Sequence, residues 1–245
     1  MKHKEYVRIT KSADTAFLFI HGIMGSPNHF KDFVALLPDN VSVINMLLDG
    51  HGKTVKDFSC SSMEKWKTQV NEKVDFLLSS HKNIIIVGHS MGTLFAIEQA
   101  VLHPDRIKSL FLLSTPLKIS VKAHKSMESI KVSLGLKYDA NNPKIIAAQN
   151  TNSIQSDKCI WRYFGVVPRF LELFREIKHT RDITSKISVP CNVFLSRHDE
   201  VVSMSSARFL KGNANIKIHI LENSGHYYYP KNDKDYVLSE FKNLI

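Results

Sequence analysis

Ile84-Ile85-Ile86-Val87-Gly88-His89-Ser90-Met91-Gly92 decides the reading of this chain. An apolar β-type run passes through a glycine-flanked serine into a stretch of helical pattern over 91–102. The segment 88–92 has the G-x-S-x-G form of a nucleophile elbow, which holds a serine on a sharp strand-to-helix turn. So tight a turn leaves no room for a Cβ at the flanking positions, hence the glycines. The composition supplies roughly 0.04 accidental matches along the whole chain, so an ordinary glycine-flanked loop serine is the weaker reading.

Working outward, short β-type runs at about 4–10, 16–20, 41–46, 84–88, 109–114, 190–195 and 216–221 alternate with helical patterns at about 28–37, 61–80, 91–102, 203–211 and 233–244. This alternation predicts an α/β fold with a mostly parallel central sheet flanked by helices. The connection 115–189 is far longer than a simple crossover needs and reads as a helical cap. The expected division is therefore a core over 1–114 and 190–245 with a cap over 115–189. Within the cap, Pro168 opens a helix on which Phe170, Leu173, Phe174 and Ile177 share one apolar face.

The 245 residues, 43% hydrophobic, suffice for one large domain. No run approaches the ~20 apolar residues of a membrane span, and the N-terminus lacks an apolar signal core. Cys60, Cys159 and Cys191 are odd in number and widely spaced, which suits reduced thiols in a cytoplasmic protein. The net charge of +10 comes with no nucleic-acid recognition motif. Gly52-Lys53-Thr54 resembles the end of a phosphate-binding loop, but that pattern requires glycine where Leu47 stands. None of the twelve histidines pairs at metalloprotease spacing, so neither a metal nor a cofactor is expected.

A serine nucleophile needs a base, and the base needs an orienting group. His226 follows the run 216–221, and Asp199 follows 190–195, so both lie past strand ends on the face where open α/β sheets place their active sites. The chain order Ser90, Asp199, His226 is that of the G-x-S-x-G hydrolases. Met91, the residue after the nucleophile, offers a backbone N–H at a helix start for the tetrahedral oxyanion. His21 and His89 read as braces of their loops, and His198 as an exposed neighbour of the acid.

With these motifs in order, the chain resembles the α/β-hydrolases, and within them the small carboxylesterases and bacterial monoacylglycerol lipases. His21-Gly22-Ile23-Met24-Gly25-Ser26-Pro27 resembles their His-Gly oxyanion loop, Asp49-Gly50-His51-Gly52 their Gly-His-Gly turn, and Asp199-Glu200-Val201-Val202 their acid loop. The resemblance implies Ile23 N–H as the second oxyanion donor and Asp199, rather than Glu200, as the acid. It implies hydrolysis of carboxylic esters through an acyl-enzyme on Ser90, with a small-molecule acyl ester as partner. The same apparatus serves thioesterases, amidases, C–C hydrolases, acyltransferases and non-catalytic binding members of the fold.

Met24 and the cap residues Trp161, Phe164, Phe170 and Phe174 are the expected walls of a substrate pocket, against the plainer alternative of internal packing. Residues 117–181 hold 12 Lys and Arg against 5 Asp and Glu. That excess, including Lys118, Lys122 and Lys125, suits anionic substrates or weak contact with an anionic membrane surface.

Overall fold

The computed structural model describes residues 3–120, 141–157 and 159–245. Its strands are β1 (Tyr6–Arg8), β2 (Thr15–Ile20), β3 (Ser42–Asn45), β4 (Asn83–His89), β5 (Ile107–Leu113), β6 (Cys191–Ser196) and β7 (Ile216–Leu221). They form one sheet in the order β1-β3-β2-β4-β5-β6-β7. Only the edge strand β1 runs antiparallel to its neighbour.

The apolar runs are continuous because the central strands are buried on both faces. Ala16, Leu18, Ile20, Ile84, Ile86, Leu110 and Leu112 point to one face. Phe17, Phe19, Ile85, Val87, Phe111 and Leu113 point to the other. The first face is covered by α3 (Met63–Leu78) and α4 (Met91–Leu102), with Trp66 and Phe95 in its core. The second is covered by α1 (Lys31–Val34) and α7 (Lys231–Lys242) and is rich in phenylalanine. Phe33 and Phe241 meet there edge to face at 5.1 Å. Each such ring contributes roughly 1.5–3 kcal/mol by leaving water.

All seven expected strands form, with ends shifted by a few residues. Two helical expectations need correction, and one short helix was not expected. The stretch 28–37 is a 3-10 turn (Pro27–Phe30) followed by the short α1, which Leu37 and Pro38 leave behind. The stretch 61–80 forms α3, capped by Ser62, and a separate short helix that was not expected, α2 (Val55–Ser59), precedes it, started by the capping box of Thr54 and Asp57. The stretch 203–211 is 3-10 over Met204–Phe209 and makes no α-helix.

Between β5 and β6 lie α5 (Pro143–Thr151), a 3-10 segment (Ile160–Val166) and α6 (Val167–Ile183). Pro168 stands in the first turn of α6, where its missing N–H costs nothing. Lys122 and Lys125 lie outside the described residues; Lys118 is described, and its backbone is bonded to Ser203 and Ser206. Among the described residues no helix is long and apolar enough to cross a membrane.

Candidate active site

Ser90 joins β4 to α4 with φ 52° and ψ −123°, a strained conformation for a residue with a Cβ. Its flanking glycines are required by close approaches to neighbouring backbone. A Cβ on Gly88 would lie 2.8 Å from Thr93 Cα, in the first turn of α4. A Cβ on Gly92 would collide with the Ile20 carbonyl at the end of β2. The elbow is thus wedged between its own helix and the neighbouring strand. Thr93 holds it there, its hydroxyl donating to the Ser90 carbonyl at 2.7 Å.

Asp199 and His226 emerge from the ends of β6 and β7, as parallel neighbours must. His226 Nδ1 meets Asp199 Oδ2 at 2.9 Å and Oδ1 at 3.1 Å, both residues being buried. Asp199 Oδ1 also accepts the Val201 and Val202 amides at 2.8 and 2.7 Å. Burial alone would raise the Asp199 carboxyl; the His226 imidazole and these two N–H donors outweigh it and hold the group below its ordinary value. Neither His226 Nε2 nor Ser90 Oγ is hydrogen-bonded to another group among the described residues.

Two further residues set the imidazole's position. Glu200, the acid loop's second carboxylate, accepts the His226 amide at 2.9 Å. His89 Nε2 donates to the His226 carbonyl at 3.0 Å and stacks on His29 at 3.8 Å. Glu200 is the residue whose role the sequence left blank, since its only signal was adjacency to Asp199.

The loop at 21–25 packs directly on Ser90: a Cβ on Gly22 would come within 2.9 Å of Ser90 Cβ. The Ile23 and Met91 amides donate to no other group among the described residues. The loop is braced by histidines, as expected for His21, though His51 does as much. The Leu48 amide donates to His21 Nε2 at 3.1 Å, so Nδ1 carries the proton and donates to the Gly22 carbonyl at 2.8 Å. In the same way His51 Nε2 accepts the Met24 amide at 3.1 Å, and its Nδ1 donates to the Asp49 carbonyl. Met24 sits at φ 57°, held by that bond.

These bonds need neutral imidazoles. Burial lowers His21 from 6.5 to about 4, and lowers His51 and His89 as well. The unfolded chain therefore takes up protons first as pH falls. Stability is complete above the ordinary histidine value and is lost as pH falls from 6.5 toward 4. His21 alone accounts for about 3 kcal/mol of this, at ~1.4 kcal/mol per pKa unit. Urea midpoints measured from neutral pH down through this window should drop steeply; a flat series would refute the linkage.

Two segments of the connection between β5 and β6 touch the loops around Ser90 and Asp199. Ser153 donates from its amide to the Met24 carbonyl at 2.9 Å and from its hydroxyl to the Gly25 carbonyl at 2.6 Å. On the other side, the Ser120 amide donates to the Val201 carbonyl at 2.9 Å, beside the acid loop. Of the expected pocket residues, Met24 and Phe170 pack partly buried against the main core. Trp161, Phe164 and Phe174 are 74%, 65% and 50% exposed.

Glu98, Glu176 and His179 converge where α6 crosses α4. Lys67 Nζ supplies the cation there, at 2.7 Å from Glu98 and 3.4 Å from Glu176. The cluster is an ion-paired clamp between α3, α4 and α6. Cys191 is buried, which pushes its thiol up and leaves it unreactive.

The Hydrolase_4 family model, described as serine aminopeptidase S33, matches residues 11–233. Human monoacylglycerol lipase ABHD6 is 24% identical over 234 residues, covering 86% of this chain and 69% of that protein. Among solved structures, one reported for the metagenome-derived lipolytic enzymes LipS and LipT aligns with a TM-score of 0.73 at 17% identity, covering 100% of this chain and 98% of that one. The monoacylglycerol lipase of Paleococcus ferrophilus aligns with a TM-score of 0.68 at 15% identity, covering 98% of each chain. Structural likeness at this identity carries the fold, which is that of the α/β-hydrolases.

Proposed function

This chain belongs to the Hydrolase_4 family of hydrolases, and from that premise we propose that it cleaves carboxylic esters of the monoacylglycerol type through an acyl-enzyme on Ser90. The observation that carries this reading is the Asp199–His226 pair. Nδ1 is bound to the carboxylate, and Nε2, the ring's other nitrogen, makes no hydrogen bond among the described residues and stands available to a serine hydroxyl.

In the proposed reaction Ser90 Oγ attacks the ester carbonyl while His226 Nε2 takes the hydroxyl proton. The Ile23 and Met91 amides receive the developing oxyanion; neither donor is engaged elsewhere among the described residues. His226 then gives its proton to the departing alkoxide, which leaves as an alcohol. Water repeats the sequence on the acyl-enzyme, releasing the acid and restoring Ser90. Asp199 stays ionised throughout, consistent with its lowered pKa, and balances the imidazolium. The segment between β5 and β6 is proposed as a cap over this face, tied to the oxyanion loop through Ser153 and to the acid loop through Ser120.

A panel of chromogenic esters of graded acyl length, with matched thioesters and amides, tests the reading. Esters should be turned over best. The family description includes an aminopeptidase, so amide turnover exceeding ester turnover would replace the ester reading with an amidase.

A further inference from the structure

The exposed cap aromatics form a surface of their own. Ile160, Trp161, Phe164, Val167, Leu171 and Phe174 are each at least half exposed, from 50% to 74%. On α6 the opposite side is the buried one, with Leu173, Ile177 and Thr180 packed inward. Val167, Leu171 and Phe174 recur at i, i+4 and i+7, so they share the outer side of the helix. The Trp161 and Phe164 rings stack at 5.7 Å and extend this side through the preceding 3-10 segment. Arg175 and Lys178 continue it toward the C-terminal end, exposed and without ion pairs among the described residues.

A convex apolar ridge led by tryptophan and phenylalanine and continued by unpaired cations has the composition of an interfacial helix. We propose that this ridge, centred on Trp161, Phe164 and Leu171, docks the protein onto an anionic phospholipid surface. Charge selects the occupant. The chain carries +10, and 12 of its basic residues against 5 acidic ones fall within 117–181. An anionic bilayer is attracted by that excess, whereas a second copy of the chain is repelled. The inference concerns binding alone and does not depend on which bond the site cleaves.

The two tryptophans make the test direct. Trp66 is fully buried and donates to the Asp49 carbonyl, so a change in emission on adding lipid reports Trp161. The experiment uses the Ser90→Ala protein, so that no lipid is consumed, with phosphatidylcholine vesicles prepared with and without phosphatidylglycerol. Emission should shift to the blue and resist acrylamide on the phosphatidylglycerol vesicles, and salt should reverse the shift. In a sedimentation assay, Trp161→Ser with Phe164→Ser should lower the partition coefficient at least about tenfold. Arg175→Gln and Lys178→Gln should each lower it about fivefold on anionic vesicles only.

All four positions are exposed, and a melting curve for each variant checks that the fold is kept. Unchanged emission on both vesicle types would overturn the proposal, as would equal partitioning of the parent and the Trp161/Phe164 variant. A blue shift without lipid, accompanied by a doubled mass in light scattering, would overturn it in favour of self-association.

Discussion

Ser90→Ala should abolish covalent labelling by a fluorophosphonate probe and lower kcat by about 10⁴–10⁶. The size of the effect follows from what remains in the variant. Substrate can still bind and the Ile23 and Met91 amides are still presented, but no oxygen is left to form the acyl-enzyme, and water must attack directly. The loss is chemical rather than conformational. Ser90 Oγ makes no hydrogen bond among the described residues, and alanine meets the same backbone strain at φ 52° as serine does. The melting temperature should therefore stay near that of the parent. Labelling that persisted on another serine would remove Ser90 from the role.

Asp199→Asn should lower kcat by about 10⁴ with the fold intact, whereas Glu200→Gln should stay close to the parent. An asparagine can turn its NH₂ toward His226 Nδ1, and the ring then carries its proton on Nε2, where it cannot take the serine's. Glu200 acts on the backbone of the same residue, accepting the His226 amide at 2.9 Å. Glutamine retains an oxygen for that bond and alanine does not. Glu200→Ala should therefore lose severalfold in rate, in line with a net hydrogen-bond contribution of about 0.5–1.5 kcal/mol. Steady-state kinetics on the three variants decides between the carboxylates. A ranking with Glu200→Gln below Asp199→Asn would exchange their roles.

Much of this site is legible in the chain because its parts are local. Gly88, Ser90 and Gly92 lie within five residues, and the strand before them and the helix after them follow from periodicities that need no partner. Asp199 and His226 each stand just past an apolar run, so a parallel sheet brings them to one edge whatever the details of packing. Helix boundaries were less legible. The helix that Thr54 caps, Val55–Ser59, has only five residues, too few to show a periodicity of its own.

Other features have no local signal. His51 holds Met24 across 27 residues, and Ser153 holds the same loop across 128 or 129. Hydrogen bonds between such distant positions exist only once the sheet and the long connection have formed. The α6 segment shows the division within one helix. Its sequence carries apolar residues on more than one side, and the spacing of Phe170, Leu173, Phe174 and Ile177 marks them as neighbours. Which side is buried depends on what lies opposite, and α4 takes Leu173 and Ile177 inward while Phe174 and Leu171 remain in solvent. The sequence by itself determined the elbow, the strand succession and the order of Ser90, Asp199 and His226, because near-neighbour sterics and periodicity suffice for them. Only the tertiary structure decided the roles of Glu200, His51 and Ser153 and the outward face of α6, because these depend on surfaces that meet only in the folded chain.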